Sequence, residues 1–235
     1  MIARLRHDLL DRGWHLGQLP VETTIDELLS ICGELGAPVT ATGGRCVDTV
    51  TPVDGARYVT LSHQSVPPHN DGLFLLDTPA IVVLHAVRVP ASGGETLLID
   101  AGDALQRLPA RVRDKISRME VEITAGGISA VKRLIEHGPF GPVLMFLDPR
   151  IGDAIALHCG HRLLDDSILT VIRKACRAAN PVLVHQWHAG DLLVFSNVAF
   201  MHARRSFVGH RQLRRVLVRI DETSRGTYPS GMMAG

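Results

Sequence analysis

The sequence lacks the features of secreted, membrane-embedded and nucleic-acid-binding proteins. Its four cysteines are scattered and form no Cys-x-x-Cys pair, which predicts reduced core residues and no disulfide framework or zinc site. The formal net charge of +1 gives no electrostatic reason to expect a nucleic-acid or membrane partner. No apolar run approaches the ~20 residues of a membrane span, and the first residues lack the apolar segment of a secretory signal. A cytoplasmic protein is therefore expected.

The chain has enough apolar residues to build one large core. Its 235 residues are 46% hydrophobic and 21% charged, which is typical of a globular protein, and no internal repeat is visible. One domain over residues 1–235 is expected. The unusual count is 12 histidines, and this makes metal chemistry worth testing.

The hydrophobic pattern divides the chain into two β-rich parts around a helical and irregular insert at about 104–180. Helical spacing is present at residues 2–12, in TTIDELLSICGELG, from Asp103 to Leu108 with a restart at Pro109, and at about 164–179. Strands are expected at 56–62, 80–89 and 95–100, in VEIT, VLMFL and AIAL of the insert, and in VLVHQW, DLLVFS and LRRVLVRI. This order suits a β-sandwich or small barrel completed by both halves of the chain.

A histidine and a carboxylate separated by one residue lie in the stretch SVPPHNDGLFLLDTP. In an extended segment, residues i and i+2 point to the same face, so His69 and Asp71 could aim their side chains at one metal ion while Asn70 points away. In a chain of this composition, roughly one such H-x-[DE] triplet is expected by chance. On these residues alone, a solvent-facing turn is the favoured interpretation.

Two further segments change this balance. GGETLLID follows the histidine, and the C-terminal third contains WHAGDLLVFSNVAFMHARRSF and then RQLRRVLVRI. Together these segments resemble the TauD/TfdA family of iron(II)- and 2-oxoglutarate-dependent dioxygenases. The motifs that carry the resemblance follow one another in this order: H-x-D, GG-x-T, W-x-x-G-D with a following Asn, a distal His and a later Arg. The resemblance covers residues 67–109 and 183–220 well, and the combination is far more specific than any single motif.

The resemblance implies a mainly β fold with flanking helices, namely a double-stranded β-helix or jelly roll. It implies that His69, Asp71 and His202 are both the iron ligands and the catalytic residues, which leaves three coordination positions for 2-oxoglutarate and O2. The far carboxylate of 2-oxoglutarate is expected to bind Thr96 and Arg215, because a guanidinium can hold a carboxylate with two parallel hydrogen bonds. Replacing Arg215 by Ala is then expected to weaken 2-oxoglutarate binding.

The implied reaction couples decarboxylation of 2-oxoglutarate, which gives succinate and CO2, to hydroxylation of a small molecule. An anionic or amino-acid-like biosynthetic substrate is expected, with Arg219 and His63 as candidate substrate-binding residues. Desaturation, cyclisation or epimerisation by the same cofactors stays open. A cupin-like metal protein without 2-oxoglutarate and a catalytically silent binding protein are the rivals from other classes.

Three further expectations concern the surroundings of the site. Arg204 is expected to form a structural ion pair near the iron. The insert is expected to supply a lid over the substrate, with AGGISAVKR and HGPFGP as its flexible segments. The oligomeric state stays open, with a homodimer as one option.

Overall fold

The computed structural model describes residues 1–40, 44–152 and 155–220. The α-helices are α1 (Ile2–Arg12), α2 (Ile25–Gly33), α3 (Ala101–Gln106), α4 (Ala110–Ser117) and α5 (Asp166–Ala178). The strands are β1 (Trp14–Gln18), β2 (Ala37–Pro38), β3 (Val47–Val50), β4 (Val66–His69), β5 (Ile81–Arg88), β6 (Ser92–Gly93), β7 (Thr96–Asp100), β8 (Glu120–Ala125), β9 (Ile128–Arg133), β10 (Ile135–Gly138), β11 (Gly141–Leu144), β12 (Ile155–Cys159), β13 (Arg162–Leu163), β14 (Pro181–His185), β15 (Asp191–Ser196), β16 (Phe200–Arg204), β17 (Phe207–Val208) and β18 (Gln212–Arg219). In this part of the chain, no helix is long and apolar enough to cross a membrane.

Two antiparallel sheets face each other at the centre of the molecule. The larger has the order β1-β15-β5-β18-β2, with β3 also paired to β18, and the smaller has the order β14-β7-β16-β4. Alternation along each strand sends every second side chain between the sheets. Leu84 and Phe195 of the larger sheet pack there against Leu98 of the smaller one. Both sheets combine strands from the two halves of the chain.

Helices α1 and α2 cover the outer face of the larger sheet. Leu5, Leu9, Leu28 and Cys32 form one buried cluster with the outward-facing apolar residues of that sheet. Helix α2 begins at a capping box in which Thr24 and Glu27 satisfy each other's backbone N–H groups.

The insert covers the outer face of the smaller sheet. It contains α3, α4, α5, the hairpin β10-β11 and a separate sheet of order β13-β12-β8-β9. One face of α5, which includes Leu169, Ile172 and Cys176, packs into the same buried cluster as Met201 of β16. This is the helical face that the sequence predicts, and its burial fixes the insert on the sheet.

One local prediction was wrong. Residues 56–62 do not form a strand: Tyr58 makes one isolated bridge to Gly152, and Val59–Leu61 is a short 3-10 helix. AGGISAVKR and HGPFGP form the hairpins β8-β9 and β10-β11, and their flexibility as parts of a lid stays a prediction. Helix α3 is capped by the Asp100 side chain, which accepts a hydrogen bond from the backbone N–H of Asp103.

Candidate metal centre

Three side chains converge at the end of the smaller sheet. His69 is the last residue of β4, Asp71 follows it in a turn, and His202 is the direct cross-strand partner of His69 on β16. One potential ligand atom from each residue lies within 4.8 Å of the other two. Gly72 allows the turn, because it has φ +68° and an added Cβ would lie 2.8 Å from Pro79. The structure thus brings together the three predicted metal ligands.

Hydrogen bonding leaves the required atoms free. Nδ1 of His69 donates to the Pro67 carbonyl over 2.9 Å, which leaves its Nε2 as the electron-pair donor. Oδ1 of Asp71 accepts from Arg215 over 2.8 Å, whereas Oδ2 is buried without a hydrogen-bond partner in the described chain. This Oδ2 lies 3.7 Å from Nε2 of His202.

Burial and charge set the protonation states that a metal ion needs. Burial lowers the pKa of His69 and lowers that of His202 to about 3, so both rings are neutral near pH 7. Burial acts to raise the pKa of Asp71, but neighbouring positive charge, above all Arg215, outweighs it and the pKa lies below its usual range. Two neutral imidazoles and one carboxylate with an unpartnered buried oxygen fit the facial donor set of non-haem iron(II).

Asn70 is an organising residue, although the sequence suggested only a spacer. Its side-chain amide donates to the carbonyls of Asn197 and Phe200, and its Oδ1 accepts from the N–H of Phe146 in the insert. Asn197 in turn accepts from the Asp71 N–H and donates to the Asp71 carbonyl, over 2.9 Å in each case. The two asparagines therefore fix the ligand-bearing turn from both sides. Asn197 is the Asn of the family pattern, whereas no feature of the local sequence indicates the role of Asn70.

A small cavity of about 50 Å³ lies beside the two histidines and contains Thr96 on its wall. The indole N–H of Trp187 donates to Oγ1 of Thr96 over 2.9 Å. Because this hydroxyl oxygen already accepts a bond, its own hydrogen is available for an acceptor in the cavity.

Arg211 lines the same cavity and was not singled out from the sequence. Its side chain is buried, and its Nε has no hydrogen-bond partner within the described ranges. Burial, followed by the charge of Arg204, lowers its pKa to about 9, and no carboxylate opposes this effect. A buried guanidinium without a counter-ion is costly, so the wall of this cavity is prepared for an anion.

Arg215, by contrast, already has two acidic partners. Besides Asp71 it donates to Oδ2 of Asp48 over 2.8 Å. Both residues of this second pair line a larger cavity of about 320 Å³, which also borders His69 and Asp71. Arg215 also lines the small cavity, so it borders both cavities, whereas Asp48 lines only the larger one.

The remaining predicted residues lie elsewhere. Arg219 pairs with Asp77 over 2.6 Å on the surface, and the exposed His63 stacks on Phe207, so neither lines the two cavities. The expected ion pair of Arg204 was wrong. Its guanidinium donates to backbone carbonyls at Val59, Thr60, Ser62 and Gln64, and within the described residues it has no acidic partner.

Solved structures confirm the predicted fold. A protein described as PvcB, an Fe, alpha-ketoglutarate dependent oxygenase from an isonitrile synthetic pathway, superposes with a TM-score of 0.67 at 21% identity over 93% of this chain and 80% of that one. An asparagine oxygenase in complex with Fe(II), hydroxyasparagine and succinate gives 0.72 at 19% identity over 98% and 82%. The double-stranded β-helix with flanking helices is therefore the architecture of this chain.

Sequence comparison gives curated relatives and a family. The tyrosine isonitrile desaturase of Pseudomonas aeruginosa is 24% identical over 97% of this chain and 82% of its own length. The 3-((Z)-2-isocyanoethenyl)-1H-indole synthase of Fischerella ambigua is 25% identical over 81% and 76%. The family model of the taurine catabolism dioxygenase TauD, TfdA family matches residues 12–127 and 164–219. With its H-x-D turn, distal histidine and jelly-roll sheets, the chain belongs to the TauD/TfdA family of dioxygenases.

Proposed function

We propose that this protein is an iron(II)- and 2-oxoglutarate-dependent oxygenase that oxidises a small amino-acid-like molecule, with release of succinate and CO2. The observation that carries the proposal is the convergence of His69, Asp71 and His202 beside a cavity that contains Arg211, which has no acidic partner among the described residues. When bound, iron(II) and 2-oxoglutarate supply the oxidising chemistry with O2. The protein holds, orients and shields these partners.

His69 and His202 would bind the metal through Nε2 and Asp71 through Oδ2. Arg215 keeps the second carboxylate oxygen of Asp71 engaged, which favours a one-oxygen contact with the metal. The Nδ1 bond of His69 to Pro67 holds one imidazole plane in place before the metal arrives.

Arg211 and Thr96 are the pair that we propose for the far carboxylate of 2-oxoglutarate. Both line the small cavity beside the histidines, Arg211 lacks a counter-ion in the described chain, and Thr96 has a free hydroxyl hydrogen. Arg215 also lines the small cavity, but its guanidinium already serves two carboxylates, Asp71 and Asp48. We therefore assign Arg215 to the substrate side of the metal.

The larger cavity is the proposed substrate site, and the insert at 104–180 is its proposed lid. Leu147, Ile151 and Ile155 of the insert line this cavity together with Asp48 and Arg215. Closing such an apolar wall over the metal would exclude water from the reaction. The relatives named after tyrosine isonitrile and asparagine support an amino-acid-like substrate.

Hydroxylation is the proposed outcome, and desaturation is the second candidate because two relatives are named as tyrosine isonitrile desaturases. Cyclisation and epimerisation remain open alternatives with the same cofactors. A metal protein that does not use 2-oxoglutarate would have little need for the unpaired Arg211 beside its metal, so this observation disfavours the plain cupin alternative. The cytoplasmic location and the homodimer remain predictions.

The experiment mixes the purified protein anaerobically with iron(II) and 2-oxoglutarate, follows the visible charge-transfer band of the chelate, and then admits O2. The expected result is a band that requires both components, followed by succinate. Asp71→Ala is the matched background. If neither the band nor succinate exceeds that background, the proposed function is wrong. Binding of iron(II) without any effect of 2-oxoglutarate on its spectrum would favour the plain cupin alternative.

A further inference from the structure

The Asp48–Arg215 pair is part of the sheet framework. Arg215 on β18 and Asp48 on β3 are direct cross-strand partners in the antiparallel register. Directly opposite side chains in such a ladder have Cβ atoms about 4.5–5.5 Å apart. The pairing of β3 with β18 therefore keeps Asp48 beside Arg215, and an entering ligand meets both charges together.

Both members of the pair keep unused hydrogen-bonding capacity. Within the described residues, Asp48 accepts only through Oδ2, and Arg215 gives one N–H to Asp71 and one to Asp48. Their side chains are 25% and 23% exposed, and both line the larger cavity beside the metal ligands. The cavity therefore offers a free carboxylate oxygen and free guanidinium N–H groups side by side.

The geometry points to Asp48 and Arg215 as a recognition pair for a zwitterionic head group, with the substrate ammonium on Asp48 and its carboxylate on Arg215. This inference rests on the proposed function and names its substrate class. An α-amino acid has both charges on one carbon, so a single head group can contact two neighbouring side chains. A simple carboxylate would gain Arg215 but would face repulsion from Asp48.

The rest of the cavity suits an apolar body. Besides the charged pair, its wall includes Tyr58, Phe74, Leu147, Ile151 and Ile155. An aromatic or branched aliphatic side chain would bury its surface there, as in most small-molecule sites. We therefore infer an unmodified apolar α-amino acid or a molecule that retains its head group.

The test compares three probes that share one aromatic body. L-Phenylalanine is a zwitterion, 3-phenylpropanoate is an anion and phenethylamine is a cation. Each is titrated anaerobically into the protein loaded with iron(II) and 2-oxoglutarate, and binding is read from the perturbation of the chelate band. The wild type is expected to bind L-phenylalanine at least about tenfold more tightly than either single-charge probe, because each lacks one charge-assisted hydrogen bond.

Asp48→Asn is expected to remove this preference, with L-phenylalanine weakened about tenfold and 3-phenylpropanoate unchanged or tighter. Asp77→Asn is the matched control. Asp77 pairs with Arg219, which lies on β18 like Arg215, and this pair does not line the cavity. This control variant should keep the wild-type order of affinities for the three probes.

A wild type that prefers 3-phenylpropanoate would overturn the inference. Equal weakening of all probes by Asp48→Asn, or no binding of any probe to a protein with an intact chelate band, would also overturn it. The chelate band is measured before any probe is added, so its absence would instead contradict the proposed function.

Discussion

At the scale of single residues, the feature that distinguishes the arginines around the metal is whether each one has a counter-ion. Arg215 is held between Asp48 and Asp71, whereas Arg211 is buried without an acidic partner in the described chain. A dianionic cosubstrate gains most from the guanidinium whose charge is not already balanced.

We expect Arg211→Met to weaken 2-oxoglutarate binding by about ten- to a hundredfold, the loss of one or two charge-assisted hydrogen bonds. Arg215→Met should have a smaller effect when both proteins are saturated with iron(II). Titration of 2-oxoglutarate into the anaerobic proteins, followed by the chelate band, measures both. The opposite order would return the cosubstrate role to Arg215.

Asn70 should matter for stability as well as for the metal. Asn70→Ala removes hydrogen bonds to the carbonyls of Asn197 and Phe200 and to the N–H of Phe146. Because these backbone groups would be left buried and unpaired, the free energy of unfolding should fall by about 2–4 kcal/mol. Chemical denaturation measures this, with the exposed Asn180→Ala as the control, and equal stability of the two variants would contradict the argument.

At the scale of elements, Arg204 connects β16 to the segment 59–64. Its guanidinium donates to four backbone carbonyls there, and Thr60 of this segment lines both cavities. The Arg204 guanidinium thus satisfies backbone carbonyls that a neighbouring strand would otherwise satisfy.

Arg204→Lys should loosen this segment, because an ammonium cannot span the same set of carbonyls. Hydrogen–deuterium exchange of a peptide covering residues 58–65 is expected to become faster by about tenfold or more. Arg205→Lys is the control, because the side chain of this neighbouring arginine is largely exposed. Its nitrogen lies 3.6 Å from the Glu95 carboxylate, which is too far for a hydrogen bond. Unchanged exchange would show that other contacts hold the segment.

Asp148 connects the 3-10 helix Pro149–Ile151 to α5. Its buried carboxylate accepts hydrogen bonds from Arg150 and Arg173. Burial acts to raise the pKa of Asp148, but the hydrogen bonds and charges of the arginines, above all Arg150, outweigh it and hold the pKa below its usual range. The stabilisation is therefore fully present above the unfolded pKa, near about 4, and is lost as pH falls through the lower folded value.

Asp148→Asn should accordingly lower the free energy of unfolding most at neutral pH. The difference from the wild type should shrink as pH is reduced below about 4. Denaturation curves between pH 3 and pH 7 measure this (about four pH values suffice). Asp114→Asn, at a pair whose carboxylate is 81% exposed, is the control. A difference that is constant with pH would mean that the charge of Asp148 is not what stabilises the insert.

The sequence predicted those elements and residues whose signal is local. Helix α5 shows its buried face in its spacing, and the H-x-D turn and the distal His202 carry the family pattern. The apolar segment 56–62 was misread because its carbonyls are satisfied by Arg204, a contact across most of the chain. Arg211 was missed because several arginines crowd between 204 and 215, and spacing alone cannot reveal which of them lacks a counter-ion.

At the scale of the whole molecule, a bound metal would connect the turn after β4 to β16. Its ligands come from both halves of the chain, and the site exists only in the folded protein. Binding to the native state alone adds free energy by mass action, about 2.7 kcal/mol at a hundredfold excess over Kd.

Manganese(II), as an oxygen-stable substitute for iron(II), should therefore raise the melting temperature of the wild type, and a chelator should reverse the rise. Asp71→Ala should show little or no increase, whereas Asp77→Ala, at an exposed carboxylate, should behave as the wild type. Differential scanning calorimetry measures the shift. An equal rise in all three proteins would place the metal elsewhere.

The cross-strand pairing of His69 with His202 also has a consequence for the order of folding. The two residues are separated by more than half of the chain, so they meet only after the insert has been traversed and β16 has docked between β7 and β4. Contacts of such high sequence separation carry the largest loop-closure cost and tend to form slowly. Tight metal affinity should therefore be acquired late in refolding, and metal capture by the nascent protein would report completion of the barrel.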